Sequence, residues 1–398
     1  MAEMLRWRRG LFACFLLIGF IMASWIVRTP SVRDALGAST AQMGWVLFGF
    51  SLGSMSGILR APGLVRRFSA KQCITGGLGT AMLGLLILAC SALSASLWLA
   101  ALGLAMVGLG MAVSDVAVNI VGAHVEQVLS RNVLTTIHGC FSLGTAVGSV
   151  CGLGLVALAV PVQVHMVLAV LLMSPLFIYV VQATRGARGS SETHSRDGQG
   201  FYAVLKTDPK LLLIGLIVLA VALSEGAAND WLPLLIVDSH GVAEQFGSLA
   251  FVAFAMTMTV GRFYGDSLLQ RFGAVTVIRA GGVVGACGIL LMILAPNVWV
   301  ACSAVVLWAS GAALGFPVAM SAGAGNGANP AARISVLATL GYTAFLVGPP
   351  LLGFVGEHIG LRLAMLIVLA LQLFPVLFAS QLAPKSSISS LTPSGQMD

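Results

Sequence analysis

The stretch KLLLIGLIVLAVALSEGAANDWLPL, residues 210–234, indicates what kind of protein this is. It exceeds the ~20 apolar residues that a helix needs to cross a bilayer, and Glu225 and Asp230 lie in its second half. The whole 398-residue chain has the same character, with 58% hydrophobic and 9% charged residues. Soluble domains carry about 25% charged residues. The composition therefore excludes a soluble protein and predicts an all-α integral membrane protein in a lipid bilayer.

Twelve transmembrane helices are predicted along the chain. They fall into two pseudo-symmetric six-helix bundles, residues 1–183 and 210–382, joined by the polar segment 184–209, a predicted cytoplasmic linker. Residues 383–398 are predicted to form a disordered cytoplasmic tail. The predicted spans are 10–29, 42–62, 72–92, 96–121, 134–159, 163–183, 210–237, 245–265, 276–295, 297–321, 335–356 and 361–382.

Lysine and arginine are distributed unevenly over the two sides of these spans. Of the 21 such residues, 18 fall on the side of the N-terminus, and only Arg28, Arg33 and Arg362 fall on the other side. The positive-inside rule then predicts that both termini are cytoplasmic. This asymmetry accounts for the net charge of +7 without a nucleic-acid partner. The seven cysteines are scattered through apolar segments, which predicts reduced packing thiols and no metal or cofactor site.

The two halves of the sequence repeat each other at an offset of about 203 residues. QMG at 42–44 opens the second span and QFG at 245–247 opens the eighth, while RF at 67–68 and RF at 271–272 follow those two spans. Parallel six-helix repeats of this kind bind their solute between the halves, near the middle of the membrane. The sequence therefore predicts a transporter whose site lies at the interface of the two bundles.

The helix order and the repeat resemble the major facilitator superfamily of secondary transporters over essentially the whole chain. Four stretches resemble more closely the YbjJ family of bacterial inner-membrane proteins, from which no substrate carries over. The resemblance implies alternating access of two halves to a small-molecule substrate, a location in the bacterial inner membrane, and function as a monomer. The stretches are MASW with RTP in 22–30, SDVA with N in 114–119, HG with FSLGT in 138–145, and EG with NDWLP in 225–233.

Two departures from the superfamily pattern are visible. In LVRRFS, residues 64–69, Arg66 and Ser69 stand where relatives usually have aspartate and glycine. The predicted fifth helix contains glycines but no proline, so it lacks the Gly-Pro signature associated with drug/proton antiporters. The second departure argues against drug export.

Polar residues recur on one face of the predicted fourth helix and one face of the fifth. Asp115, Asn119 and Glu126 share a face of the fourth, and His138 and Ser142 share a face of the fifth, which predicts a hydrated cavity wall. Alternatively, Glu126 and His138 lie at the headgroup level near the short loop between the helices. The region resembles fucose/proton symporters, which implies a proton-coupling acid at Asp115 and a sugar-lining position at His138. Gly122 on the fourth helix and Thr145 and Ser149 on the fifth complete the two stripes.

Glu225 and Asn229 share a face of the predicted seventh helix, because they are four residues apart. Counted from Leu211, Glu225 lies ~21 Å along that helix, well inside the membrane. A carboxyl group at this depth is either a proton carrier or a buried hydrogen-bonding group that fixes helix packing. Both interpretations remain open.

Arg28 and Asp230 lie near the outer ends of the predicted first and seventh helices. An ion pair between them would close the outer gate, and Arg28 would alternatively hold a solute. The other interpretation is a static pair at the interface with the lipid headgroups.

Two weaker features concern the second half. Arg262 and Asp266, four residues apart at the inner end of the eighth helix, are predicted to anchor its orientation. GFP at 315–317 and GPP at 348–350 are predicted to interrupt the tenth and eleventh helices.

The sequence therefore predicts a proton-coupled symporter that moves a small polar, sugar-like solute, with no enzymatic activity. Drug efflux by proton antiport and a transporter-fold receptor without net transport remain as alternatives. Asp115, Glu225 and Glu126 are the predicted proton-coupling residues. The predicted cavity residues are Ser24, Trp25, Arg28, Asn119, His138, Ser142, Asn229 and Trp231, and the predicted outer gate is Arg28 with Asp230.

Overall fold

A computed structural model provides the architecture, and every regular element in the residues it describes is helical. The predicted linker and the predicted tail lie almost entirely outside the described residues. The described residues are 1–130, 133–187, 208, 210–325 and 330–383.

The described residues of the first half form six long helices and one short one. The short helix, α2, was not predicted from the sequence; it follows directly on α1 and has Pro30 in its first turn, where proline is well tolerated. The helices are α1 (Ala2–Ile26), α2 (Thr29–Leu36), α3 (Thr40–Arg67), α4 (Ala70–Ser94), α5 (Leu97–Leu129), α6 (Leu134–Ala157) and α7 (Val162–Ala183).

In the second half, the part of the chain that the structure describes forms six further helices and a 3₁₀ turn at Ala379–Leu382. They are α8 (Lys210–His240), α9 (Glu244–Leu294), α10 (Val298–Ala312), α11 (Gly315–Gly325), α12 (Pro330–Ile359) and α13 (Leu361–Phe378).

Ten helical segments of the described chain are long and apolar enough to cross a membrane. One of them, α9, has 51 residues, which at 1.5 Å per residue is about 76 Å and far exceeds a bilayer. Its backbone leaves the helical conformation at Gly273, where φ is 75°, so α9 is two spans. The 28-residue α3 is less apolar but long enough to cross as well. These helices give the predicted twelve-helix architecture, which is confirmed.

The two predicted helix interruptions have different outcomes. The tenth span is broken between α10 and α11, as GFP at 315–317 predicted. The eleventh span is not broken, because α12 continues through Pro349 and Pro350. Proline at 349 removes the backbone donor that would bond to the carbonyl of Phe345. That carbonyl instead accepts a hydrogen bond of 2.7 Å from the Ser51 hydroxyl on α3, so a contact between the halves satisfies it.

Small residues bring helices within each half into close contact. A Cβ added at Gly19 on α1 would collide with the carbonyl of Phe141 on α6, and one added at Gly144 on α6 would collide with Leu16. Between the halves, α3 packs against α12 and α6 packs against α9. The interface between the halves is therefore bounded by two helix pairs, and the cavity described below opens beside α6 and α9.

Candidate functional site

A cavity of about 1120 Å³ lies between the two halves. It opens at the end of the bundle where α6 begins and where the terminal 3₁₀ turn ends, which the sequence predicts to be the cytoplasmic end. Its volume is slightly larger than the roughly 300–1,000 Å³ typical of small-molecule sites. The polar and charged residues of its wall include His138, Ser142, Thr259, Arg262 and Asp266.

A smaller recess of about 60 Å³ shares part of that wall. Two of its lining residues are Glu225 and Asn229, which the sequence placed on one face of α8. Thr145 on α6 and Met22 on α1 line it from the other half. The recess therefore brings predicted polar residues of both halves to one place.

Glu225 forms an ion pair with Arg262 inside this recess. The Nη2 atom of Arg262 donates to the Oε1 atom of Glu225 at 2.9 Å, and both side chains remain partly exposed to the cavity, at 34% for Arg262 and 23% for Glu225. The predicted anchor between Arg262 and Asp266 is not formed in the described part of the chain. Arg262 turns from its own helix to α8 because Glu225 offers it a partner deeper in the interface.

Four polar side chains line the cavity or the recess, and three of them are oriented by their own helix. His138 packs edge-on against Phe15 with ring centroids 5.3 Å apart and lies within electrostatic range of Arg262. The hydroxyls of Ser142 and Thr145 on α6, and of Thr259 on α9, each donate to the carbonyl of the residue four positions earlier. Their oxygens are left to the cavity as hydrogen-bond acceptors.

Asp115 and Asn119 form a separate polar pair on α5. The Asn119 amide donates to the Oδ1 atom of Asp115 at 3.2 Å and to its carbonyl at 2.9 Å. The Asp115 charge acts on the Cys14 thiol of α1 and on the Tyr342 hydroxyl of α12, in the other half. Asp115 thus lies near the interface of the halves, and it is not among the residues that line the two cavities described above.

Glu126 has a structural position at the start of α6. Its Oε2 atom accepts hydrogen bonds from the backbone N–H groups of Val133, at 2.7 Å, and Leu134, at 3.0 Å. These are unpaired donors at a helix N-terminus, where a carboxylate is favourable. The alternative that Glu126 lies beside the loop agrees with this geometry.

Arg28 does not pair with Asp230. It lies in the break between α1 and α2, and its Nη2 atom donates to the carbonyl of Val160 at 2.7 Å. Its Nε atom lies 3.7 Å from the carboxylate of Glu244 at the start of α9. Asp230 is buried, at 6% exposure, and makes no hydrogen bond or ion pair with any described residue. The predicted gate pair is therefore replaced by Arg28 with Glu244.

The closed end of the interface carries further contacts between the halves, here called the outer seam. The Nη1 atom of Arg33 on α2 lies 2.5 Å from Oδ2 of Asp238 on α8. Burial lowers the pKa of Arg33, but its bonds and charge interactions with Asp238 and Asp34 outweigh burial and raise that pKa above its ordinary value. Ser31 on α2 donates to Glu244. The C-terminal half thus supplies acids to this seam, and the N-terminal half supplies their partners.

The seam continues at the start of α3. The backbone N–H of Ala41 donates to Glu357 of α12 at 3.0 Å, which places a carboxylate at the positive end of α3. Next to it the two halves meet at glycines, since a Cβ added at Gly353 would lie 2.9 Å from the Cα of Gly44. The outer seam is therefore closed by backbone packing as well as by ion pairs.

Three predicted cavity residues are buried away from the two described cavities. The hydroxyl of Ser24 donates to the carbonyl of Phe20 within α1. Trp25 packs on Phe50 with ring centroids 5.4 Å apart, and Trp231 is completely buried. These three side chains pack inside the protein and do not line either cavity.

The sequence pattern identified only some of the charged residues that pair in the structure. It identified Glu225 but assigned Arg262 to Asp266, and it did not single out Glu244 or Thr259. One signal for Arg262 was available, since an arginine inside a predicted span needs a partner at membrane depth. Which helix supplies that partner depends on packing that the sequence pattern does not specify.

Comparisons with known proteins agree with this architecture. A family model of the Major Facilitator Superfamily matches residues 10–333. The uncharacterized transporter y4wD of Sinorhizobium fredii is 30% identical over 374 residues, covering 90% of this chain and 94% of that protein. The nucleoside transporter NupG superposes with a TM-score of 0.72 at 14% identity over 97% of this chain and 100% of that one. A variant of the E. coli fucose:proton symporter FucP superposes with a TM-score of 0.65 at 17% identity, covering 94% of this chain and 98% of that one.

Proposed function

This chain belongs to the Major Facilitator Superfamily, and on that premise we propose that it moves a small polar, sugar-like solute together with a proton. Membership makes it a multi-pass membrane transporter of small molecules and not an enzyme. The observation that supports proton symport is the Glu225–Arg262 ion pair, because it lies in a recess lined by both halves. The narrower resemblance to the YbjJ family stays a prediction from the sequence.

The ion pair suits proton coupling for an electrostatic reason. An ionised carboxylate at membrane depth costs at least ~2.5–3.5 kcal/mol unless it has a partner. While Arg262 contacts Glu225, that cost is offset; when Arg262 turns to a solute, Glu225 is stabilised by taking up a proton. Solute and proton then bind together. Asp115 is the second candidate carrier, whereas the carboxylate of Glu126 is already engaged with two backbone donors.

The arrangement of the halves supports alternating access. The outer seam is closed by Arg33 with Asp238 and by Arg28 with Glu244, while the cavity is open at the other end. With the predicted orientation, both termini are cytoplasmic and this conformation is inward-facing. The proposed location is the bacterial inner membrane, with a monomer as the working unit. Breaking the outer seam and closing the cavity mouth would expose the recess to the opposite side.

The test is proton flux in vesicles that contain the purified protein and an internal pH dye. A panel of sugars, acids and drugs is applied to wild type, Glu225→Gln and Asp115→Asn. Glu3→Gln, an equivalent change at an exposed position near the N-terminus, is the matched control. We expect a solute-triggered pH change in wild type and control that is lost in Glu225→Gln.

The other outcomes separate the alternatives. Full coupling in Glu225→Gln with loss in Asp115→Asn would transfer the carrier role to Asp115. A solute that binds but drives no flux would favour a receptor. A pH change of opposite sign, driven by amphipathic drugs, would favour efflux by antiport.

A further inference from the structure

The hydrogen-bonding groups that line the cavity and the recess restrict what the solute can be. The hydroxyl groups of Ser142, Thr145 and Thr259 donate hydrogen bonds to backbone carbonyls of their own helices, with oxygen–oxygen distances of 3.3, 3.0 and 2.7 Å. Toward the cavity they offer lone pairs only. A solute that fits these groups has to bring donors of its own, and hydroxyl groups are the simplest neutral donors.

Arg262 adds a requirement for negative charge. Its guanidinium presents several donors in a fixed fork that matches a carboxylate, and among the described residues it makes one hydrogen bond, of 2.9 Å, to Glu225. Both side chains are partly exposed to the cavity, so a solute reaches the guanidinium without unfolding the recess. A second carboxylate can therefore take the place of the first.

We infer that the transported solute is a hydroxylated monocarboxylate, such as a sugar acid, whose carboxylate replaces that of Glu225 on Arg262. This inference rests on the proposed function and names its substrate class. The displaced Glu225 carboxylate takes one proton from solution onto a carboxyl oxygen. One negative charge and one positive charge have then entered the recess, so its net charge is unchanged. Symport of one monoanion with one proton is electroneutral, whereas symport of a neutral sugar with a proton is not.

Other titratable groups surround the pair on each neighbouring helix. His138 faces it from α6, and Asp266 lines the cavity on α9. Asp230 lies farther along α8, and Asp115 lies on α5 near Tyr342 of α12. The structure shows no ion pair between Arg262 and any of these groups among the described residues. The charge exchange therefore involves Arg262 and Glu225.

Binding is tested first, with glycerate, gluconate and galacturonate, each against its neutral counterpart glycerol, sorbitol or galactose. Dissociation constants are measured by calorimetry on the detergent-purified full chain. We expect the acids to bind and the neutral compounds to bind at least tenfold more weakly. Arg262→Gln should weaken acid binding about 10- to 100-fold, since it removes a charged hydrogen-bond donor. Arg262→Lys keeps the charge but loses the fork, so we expect an intermediate loss.

Arg279→Gln is the matched control. It makes the same change on the other span of α9, at an exposed side chain that contacts the carbonyl of Val376 and does not line either cavity. Its acid binding should equal that of wild type. If Arg262→Gln does not fold, the double variant with Glu225→Gln removes both charges and should still fold without binding acids.

Flux is then measured in vesicles with an internal pH dye and a membrane potential set by potassium and valinomycin, with protein-free vesicles as blank. We expect acid-driven proton entry at a rate that does not change with the potential. Acid binding without flux would support the anion site and overturn transport. Flux driven by the neutral compounds alone, or acid flux that scales with potential, would overturn the inference while leaving transport intact. No response to any of the three acids in either assay would also overturn it.

Discussion

The guanidinium of Arg262 on α9 lies 2.9 Å from the carboxylate of Glu225 on α8, although the two residues are 37 positions apart. The pair is neither fully buried nor free in solvent, since about a third of the Arg262 side chain faces the cavity. An ion pair in this position stabilises the closed recess and yet remains open to exchange. That combination links the packing of two helices to the chemistry of a solute site.

Neutralising Arg262 and Glu225 separately and together should measure how strongly the two side chains stabilise each other. Arg262→Gln or Glu225→Gln alone leaves an unpartnered charge at membrane depth, whereas the double variant leaves none. The free energy of unfolding of the double variant should exceed the value expected from adding the two single effects by about 1–2 kcal/mol. This interaction energy lies between those measured for exposed and for buried ion pairs. Unfolding in detergent measures all four proteins. Strictly additive effects would show that the contact has no energetic role.

The outer seam yields a prediction about conformation. Valine at Gly353 does not fit against Gly44 while the seam is closed, because even a Cβ would lie 2.9 Å from its Cα. Gly353→Val should therefore open the seam and expose Ser248, which is fully buried and bonded to the carbonyl of Val27. In a background without other cysteines, a cysteine at position 248 should be alkylated several-fold faster.

Gly63→Val is the control for this experiment, since a Cβ at Gly63 on α3 has nothing within 4 Å. It should leave the alkylation rate unchanged. An unchanged rate in Gly353→Val would show that Gly44 and Gly353 do not limit closure of the seam.

The fold was predictable from the sequence because membrane helices leave strong local signals. Apolar length, the bias of lysine and arginine, and the repeat were enough to predict twelve spans. The errors occurred where tertiary contacts decide. Pro349 was predicted to interrupt α12, but Ser51 of the other half satisfies the carbonyl that the proline frees. The short helix α2 is too polar to register as a span.

The site was predictable only in part, for a similar reason. Helical periodicity shows which residues share a face of one helix. It placed His138 with Ser142 and Glu225 with Asn229, and in the structure each pair lines the same cavity. It does not specify which faces meet. Arg28 was assigned to Asp230 because both lie near the outer ends of their predicted helices, whereas in the structure Arg28 lies beside Glu244. Partners across helices follow from rotation and depth, which the sequence pattern leaves open.

Glu126 should affect stability rather than coupling. Glu126→Ala removes the acceptor for two backbone donors at the start of α6, and we expect it to lower the stability of the protein, as the loss of a helix cap does. Glu126→Gln keeps an acceptor oxygen and should lose less. The ratio of protons to solute should be the same in both variants and in wild type. A ratio that falls in Glu126→Gln while stability is retained would instead make Glu126 a proton carrier.

Charge reversal distinguishes the two possible partners of Arg28. Arg28→Glu places a carboxylate near that of Glu244 when the seam closes, so repulsion should hold the seam open and slow transport. Adding Glu244→Arg restores an opposite-charge pair and should recover part of the rate, although the bond to the carbonyl of Val160 stays lost. Adding Asp230→Arg should recover nothing, because Asp230 has no contact with Arg28 in the closed seam. Recovery with the change at 230 and not with the change at 244 would support the Arg28–Asp230 pair predicted from the sequence. Solute uptake rates of the four proteins, at equal amounts in the membrane, measure this.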